Sequence, residues 1–289
     1  MERFGYIRAN SIDEALTLLN EPGLKSRALA GSTDILLQLR HDPHYCDRLV
    51  DISQLPELHR IEQREGWVII GASASFSEVM HAPLINTTAS VLAQACHTVG
   101  AVQIRNMGTL GGNVINAAAC ADSLPALICL DAVAHFITPD GEHTLPVSQL
   151  VTRPNRTLLP AGGLLVSLSY PIPMPGSRSA FLKLGRRNAM AISRLTVAAL
   201  GRLDSSSLIE EARLVTGSAT PRIERLAAVE NILLGQPPSA ELFATAAKTT
   251  VDEMVRLSGL RWSSEFKIPA LTSMTIRVLE QVFAAGEAG

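Results

Sequence analysis

Apolar and polar positions repeat along this chain with two different periods, and each change of period marks an element. Ile12, Ala15, Leu16 and Leu19 fall on one face of a helix, opened by Ser11-Ile-Asp-Glu14, a capping box. A short buried strand over 27–30, a helix over 35–40 and a strand over 48–52 follow. This alternation predicts a small parallel unit, residues 1–54. Trp67-Val-Ile-Ile-Gly-Ala72 is a continuous apolar strand that begins a second unit, 55–176, and Ser75-Phe-Ser-Glu78 is another capping box. Val91, Leu92, Ala95, Cys96 and Val99 share one face of a predicted helix over 87–99, and a short helix starts near Pro125. Segments 132–138 and 143–147 flank Pro139-Asp-Gly141, a hairpin signal, and a strand over 164–170 precedes a proline-rich linker over 171–176. The third unit, 177–289, reads as strands over 180–186, 193–202 and 212–218, then helices over 222–234, 240–257 and 269–284. Strands followed by a run of helices predict an α+β domain.

The pattern breaks at residues 103–122, Gln-Ile-Arg-Asn-Met-Gly-Thr-Leu-Gly-Gly-Asn-Val-Ile-Asn-Ala-Ala-Ala-Cys-Ala-Asp. Gly108, Gly111 and Gly112 sit there among asparagines, Thr109 and Asp122, with little that suits a packed face. Glycine lets a ligand approach the backbone closely, and successive exposed N–H groups make an anion-binding concavity. A surface turn needs two to five such residues; this length predicts a loop that wraps a ligand.

A second glycine turn lies upstream. Arg27, Ala28, Leu29 and Ala30 form the strand, Gly31, Ser32, Thr33 and Asp34 the turn, and a helix follows. Unpaired first-turn N–H groups and the helix dipole would suit a phosphate there. The alternative is that Thr33 or Asp34 is simply an N-cap and Gly31 a turn residue.

Ala-Gly-Ser-Thr-Asp at 30–34 with Gln-Ile-Arg-Asn-x-Gly-Thr-x-Gly-Gly-Asn at 103–113 resembles the FAD-binding subunit of the molybdenum hydroxylases, which include xanthine dehydrogenase and carbon monoxide dehydrogenase. The resemblance extends to Asp122-Ser-Leu-Pro125, Phe181-Leu-Lys-Leu-Gly-Arg-Arg187 and Arg261-Trp-Ser-Ser-Glu-Phe-Lys267, so it spans essentially the whole chain. It implies an α+β fold class: a vanillyl-alcohol-oxidase-type FAD-binding domain of two α/β subdomains, then a C-terminal α+β domain with a three-stranded antiparallel sheet. The family usually has glycine where this chain has Ser32; if that position needs φ > 0, serine costs about 1 kcal/mol.

The resemblance implies that residues 27–34 run along a non-covalent FAD, with Gly31, Ser32 and Thr33 at its pyrophosphate. Thr109, Leu110, Gly111, Gly112 and Asn113 would supply the second segment. Asp122 would meet flavin or ribityl hydroxyls, or else cap the helix near Pro125. Leu165 would lie on the adenine or flavin plane, an alternative being core packing. Lys183, in a strand with apolar neighbours, would stand beside the isoalloxazine and favour its reduced anion, the alternative being an exposed strand lysine. Arg186 and Arg187 would attract the phosphates of NAD, or pair with surface carboxylates. Flavin-linking His, Cys or Tyr residues of covalent relatives have no counterpart here, Cys120 being the only nearby thiol.

The remaining composition narrows the function. With Lys and Arg totalling 25 against 27 acidic residues, nothing favours nucleic acid. No apolar run reaches a membrane span and the N-terminus lacks a signal-peptide core, which predicts a cytoplasmic protein. At 47% hydrophobic and 18% charged, the chain reads as one that buries surface against partner subunits. Cys46, Cys96, Cys120 and Cys129 contain no Cys-x-x-Cys pair, so no resident zinc or iron–sulfur framework is expected, and His41, His44 and Cys46 read as a solvated turn. The family then implies an electron-transfer subunit: molybdenum cofactor on one partner subunit, 2Fe–2S clusters on an iron–sulfur partner subunit, FAD here, and NAD or another small-molecule acceptor. A self-sufficient FAD oxidoreductase with its own organic substrate is the alternative. A scaffold that has lost flavin is a third, and the intact second segment argues against it.

Overall fold

The computed structural model describes residues 4–187 and 190–283. The first layer is a parallel sheet. Strand β1 (Gly5–Arg8), helix α1 (Ile12–Leu19), β2 (Ser26–Leu29), α2 (Ile35–His41) and β3 (Arg48–Asp51) alternate, and the strand order is β1-β3-β2. Strand β1 carries no strong apolar signal of its own and was not expected; it is held by its parallel ladder to β3. Ser11 caps α1 by accepting from the Glu14 N–H, but the Glu14 carboxylate takes the Asn10 N–H instead of that of Ser11. Ala15 and Leu19 pack with Val50, Ile52 and Leu58 beneath the sheet.

The second layer begins with β4 (Ile61–Arg64) and β5 (Trp67–Gly71), followed by α3 (Phe76–His81), α4 (Pro83–Thr88) and α5 (Ser90–His97). Ser75 and Glu78 form both bonds of the capping box on α3. The helix expected over 87–99 is two helices, broken at Ala89, whose φ of −151° and ψ of 62° are not helical. Next come α6 (Val102–Met107), α7 (Leu110–Asn116) and α8 (Ser123–Cys129). Here the sequence reading needs correction: residues 103–122 are not one wrapping loop. Leu110 and Val114 are fully buried, so the segment does have a packed face. The chain continues through β6 (Val133–Thr138), β7 (Gly141–Pro146), α9 (Val147–Leu150), the small pair β8 (Val151–Arg153) and β9 (Arg156–Thr157), and β10 (Leu164–Pro171). These build an antiparallel five-stranded sheet, β4-β5-β10-β6-β7, with the hairpin where it was expected.

The third layer is the antiparallel sheet β11 (Arg178–Gly185), β12 (Ser193–Leu203) and β13 (Ile209–Gly217), with α10 (Ala227–Leu233), α11 (Ala240–Ser258) and α12 (Ser264–Phe283). Strand β12 is central and buried on both faces, which its near-continuous apolar run requires. One face (Phe181, Ala198, Leu200, Val215) joins the core of the second layer; the other (Leu195, Val197, Ala199, Leu214) packs on α11 and α12. Helix α10 is shorter than the expected 222–234 because Arg225 bridges to Val215 in extended form. Helix α12 starts five residues before the expected Pro269, which sits inside it, while residue 284 lies outside the described residues. Among the described residues no helix is long and apolar enough to cross a membrane.

Candidate cofactor site

Strand β2 delivers the chain into the turn over 30–34. Ala28 and Ala30 pack beside the core under the first sheet, Leu29 joins the cluster of Leu39, Cys46 and Leu49, and Asp34 is exposed. Ser32 has φ +61°, the left-handed backbone that favours glycine, so the serine here does sit in a strained conformation. Among the described residues, no acceptor takes the N–H groups of Ser32, Thr33 or Asp34, and the Thr33 hydroxyl makes no hydrogen bond. Asp34 occupies the N-cap position of α2 without a side-chain cap bond, so neither capping assignment holds. Arg27 lies over the Tyr45 ring, 5.4 Å from its centre, and its Nε is buried without a partner.

Gly31 brings the two glycine segments together. A Cβ there would stand 1.8 Å from the Met107 carbonyl oxygen and 3.0 Å from the Gly108 Cα. Glycine is therefore required for backbone-to-backbone contact between the 30–34 turn and the α6–α7 junction.

The second segment uses its polar groups differently. Thr109 is the N-cap of α7 and accepts from Gly112 N–H. The N–H groups of Leu110 and Gly111 go to the carbonyls of Ala74 and Ala72, and that of Asn113 to Thr109. Gly111 lets α7 lie on the end of β5: a Cβ there would be 2.6 Å from the Ala72 oxygen. Gly112 is helical and exposed, without positive φ; an added Cβ meets only the Thr109 hydroxyl, at 2.7 Å. Asn113 accepts from the Ser123 hydroxyl at 2.7 Å, tying α7 to α8. Arg105 donates to the carbonyls of Val99 and Gly100, which fixes the entry to α6.

Asp122 and Lys183 meet each other. Phe181 enters the core of the second layer, and Lys183, two residues on, projects from the same face of β11. Its ammonium donates to Asp122 at 2.6 Å and to the Thr98 carbonyl at 2.9 Å. Asp122 also accepts from the hydroxyls of Ser193 and Thr98 and is 4% exposed. Burial pushes its carboxyl up, while the ammonium and both hydroxyls oppose that shift. Asp122 makes no side-chain cap bond to α8, and Lys183 is not an exposed strand lysine. Thr98 and Ser193 were not singled out from sequence; neither belongs to a motif, and only the register of β11 on β12 brings Ser193 to the acid.

Cys120 lies two residues before Asp122 and is half-buried. Asp122, Lys183 and Asp34 all act on its half-buried thiol, which burial first and then Asp122 push up. Ser73, 1% exposed beside the α7 contact, has a buried hydroxyl without a partner, another residue that sequence reasoning passed over. Leu165 is buried in the core of the second layer, opposite Phe136. Arg187 folds back onto the Met190 carbonyl at 2.7 Å, and Arg186 is exposed. Among the described residues, no group of three His, Cys, Asp or Glu side chains is placed to hold a metal.

The residues present fit a long dinucleotide. Free N–H donors at one turn, an orphaned buried hydroxyl and guanidinium nitrogen, and a buried ion pair on the neighbouring layer are polar groups such a ligand can engage along its length. Comparison with known proteins points the same way. Residues 2–173 match the FAD binding domain in molybdopterin dehydrogenase, and residues 180–282 match the CO dehydrogenase flavoprotein C-terminal domain. The chain is 31% identical over 283 residues to the xanthine dehydrogenase FAD-binding subunit of Escherichia coli O157:H7, covering 97% of this chain and 96% of that one. It is 26% identical over 284 residues to the carbon monoxide dehydrogenase medium chain of Hydrogenophaga pseudoflava, covering 98% of each. The fold superposes on carbon monoxide dehydrogenase from that organism with a TM-score of 0.90 at 24% identity over 98% of both chains. It superposes on quinoline 2-oxidoreductase from Pseudomonas putida 86 with a TM-score of 0.88 at 23% identity over 96% of both.

Proposed function

Because this chain belongs to the FAD-binding medium subunits of the molybdenum hydroxylases, the family of xanthine and carbon monoxide dehydrogenases, we propose that it is the electron exit of such a complex. It is an oxidoreductase subunit. Electrons come from a molybdenum-cofactor subunit through the iron–sulfur clusters of a second partner and leave to NAD or another small-molecule acceptor. FAD supplies a carrier that takes electrons singly and gives them up in pairs.

The observation that supports this most is the contact of Gly31 with the 107–108 backbone, beneath a turn whose Ser32, Thr33 and Asp34 N–H groups are free. In this reading those donors and the Thr33 hydroxyl hold the pyrophosphate, with Arg27 to Ala30 along the approach. Thr109 to Asn113 form the opposite wall, and exposed Gly112 leaves room for close approach. Asp122 and Lys183 hold the flavin end, with Thr98 and Ser193 fixing both. Binding is non-covalent, as the raised Cys120 thiol is a poor nucleophile. The units 1–54, 55–176 and 177–289 divide the work as two walls and a cover. In this reading the molybdenum-cofactor subunit selects the substrate.

An absorption spectrum of the purified chain, and of the supernatant after acid precipitation, tests the binding. Intact FAD in the supernatant is expected; a yellow pellet over a colourless supernatant overturns non-covalent attachment. Anaerobic purine should leave the isolated flavoprotein oxidised, whereas NADH reduces it. Rapid bleaching by purine alone would instead establish the self-sufficient enzyme.

A further inference from the structure

A cavity lies where the chain's two family-matched parts meet, and its charge is not balanced. It encloses about 320 Å³, at the small end of the range of ligand pockets. Its walls come from the α7–α8 connection over 117–119, from β8, from the segment after β13, and from the start of α12. Arg153, Arg222, Arg261 and Lys267 line it, together with Ser218 and Thr220.

Three of these cations donate to backbone carbonyls. Lys267 donates to the Ser218 carbonyl at 2.5 Å, Arg261 to the Ser258 carbonyl at 3.1 Å, and Arg222 to the Ser148 carbonyl at 3.0 Å. Among the described residues, the only carboxylate within ion-pair reach of the four is Glu224, 4.0 Å from Arg222. Two arginines elsewhere on the same junction are treated in the opposite way. Arg213 is paired with Asp131 and Glu211, and Arg225 with Asp131 and Glu230, all at 3.0 Å or less. Where this junction needs only cohesion, its cations have acids. In the cavity they do not.

Lys267 shows the effect on one group. Burial and the nearby guanidinium groups of Arg261 and Arg194 hold its ammonium below the usual lysine range. A half-buried cation repelled by its neighbours is relieved by an anion placed among them. Forked guanidinium groups from separate segments suit a tetrahedral oxyanion with several acceptor oxygens and more than one charge. The remaining walls, Leu124, Val151 and Ile223, are apolar.

We propose that this cavity binds a phosphate-bearing small molecule, the phosphate between Lys267, Arg261, Arg222 and Arg153 and its compact apolar body against Leu124, Val151 and Ile223. The ligand clamps the flavin-binding part to the C-terminal layer. It is separate from the pyrophosphate donors of the 30–34 turn, none of which lines the cavity.

Calorimetric titration of the flavin-loaded full chain, with inorganic phosphate and with phenyl phosphate as probes, tests this. Saturable binding at one site is expected. Lys267→Met and Arg261→Gln should each weaken it roughly tenfold or more while flavin content stays constant. Arg153→Gln, at an exposed position where folding is not at stake, should weaken it several-fold. Arg64→Gln, on β4, should leave it unchanged. Phenyl phosphate should bind more tightly, its ring against the apolar walls; equal binding of the two probes overturns the placement of an apolar body against Leu124, Val151 and Ile223. Absence of binding by both probes overturns the proposal. So does equal affinity in wild type and Arg153→Gln together with either of the other cavity variants.

Discussion

The two glycine segments look alike in sequence and behave differently. Each combines glycine with a hydroxyl residue and an Asx residue next to a helix. In the 30–34 turn the N–H groups of Ser32, Thr33 and Asp34 are left free, and Gly31 is needed because another backbone lies where its side chain would be. At 108–113 the N–H groups are consumed by Ala72, Ala74 and Thr109, and Gly111 allows a helix to rest on a strand end. The same residue types thus give a donor site in one place and a packing spacer in the other. What separates them is where the N–H groups go, and that depends on tertiary contacts.

The sharpest test of this contrast is Gly31→Ala. The new Cβ would force the 107–108 backbone away by more than any rotamer change can absorb. Flavin affinity should fall by about 100-fold or more, equivalent to ~2.7 kcal/mol, as read by fluorescence titration with FAD. Gly112→Ala gains about 0.5–1 kcal/mol of helix propensity but places its Cβ 2.7 Å from the Thr109 hydroxyl that caps α7, which must give way. The two effects oppose each other, and its melting temperature should change by no more than a few degrees. Gly112→Val should keep the fold and lose flavin, if the cofactor passes over this surface. If Gly31→Ala binds FAD normally, the contact between the segments has no part in binding.

An effect of comparable size, on stability instead of affinity, belongs to the ion pair at the end of the second segment. Lys183→Met leaves the Asp122 carboxylate buried and without its cation, which costs about 3–5 kcal/mol at neutral pH. Burial already raises the Asp122 carboxyl, and removing the ammonium raises it further. A carboxyl with a raised folded-state pKa binds its proton more tightly folded than unfolded. Stability is therefore lost as pH rises from the ordinary carboxylate range towards the raised value, and the variant's deficit should shrink in acid. Urea unfolding at several pH values reads this directly. At a pH low enough to protonate Asp122 in the variant, the flavin midpoint should move little, about 20 mV or less for ~1 kcal/mol, since there a neutral pair gives way to a neutral acid. A much larger fall in midpoint would show that the ammonium acts on the flavin as an unscreened charge.

Much of the architecture was legible because period and capping are local. Both capping-box serines cap their helices, the hairpin and the three C-terminal strands lie close to their expected places, and the parallel first sheet follows from alternation. What escaped depends on neighbours. Strand β1 exists through β3, the 103–122 segment is helical because Leu110 and Val114 find a core, and Asp122 found Lys183 across layers. Of the candidate site residues, the strained conformation at Ser32 was anticipated from the usual glycine. The free donors beside it could be counted only once every acceptor was placed.

A smaller effect tests the structural use of the second segment. Thr109→Val keeps the shape but removes the acceptor for the Gly112 N–H. Loss of this N-cap should cost about 1 kcal/mol, within the range of 0.5–2 for such losses, and lower the melting temperature by a few degrees. FAD affinity measured well below that temperature should change less than twofold. A loss of affinity greater than the loss of stability would move the Thr109 hydroxyl to the cofactor.

Ser32 gives the smallest and most discriminating change, because two variants separate its backbone from its hydroxyl. Ser32→Gly relieves the +61° conformation, worth about 1 kcal/mol, but gives the unfolded chain more freedom, which returns about 0.5–1 kcal/mol. The net change in stability should be within about 0.5 kcal/mol. Ser32→Ala keeps the strained Cβ and removes only the oxygen. If the free N–H groups of the turn do the binding, both variants hold FAD within a few-fold of wild type, with glycine the tighter. If Ser32→Ala alone releases the cofactor, the hydroxyl is the recognition group, and this chain keeps serine in place of glycine for its oxygen, at the expense of the strain.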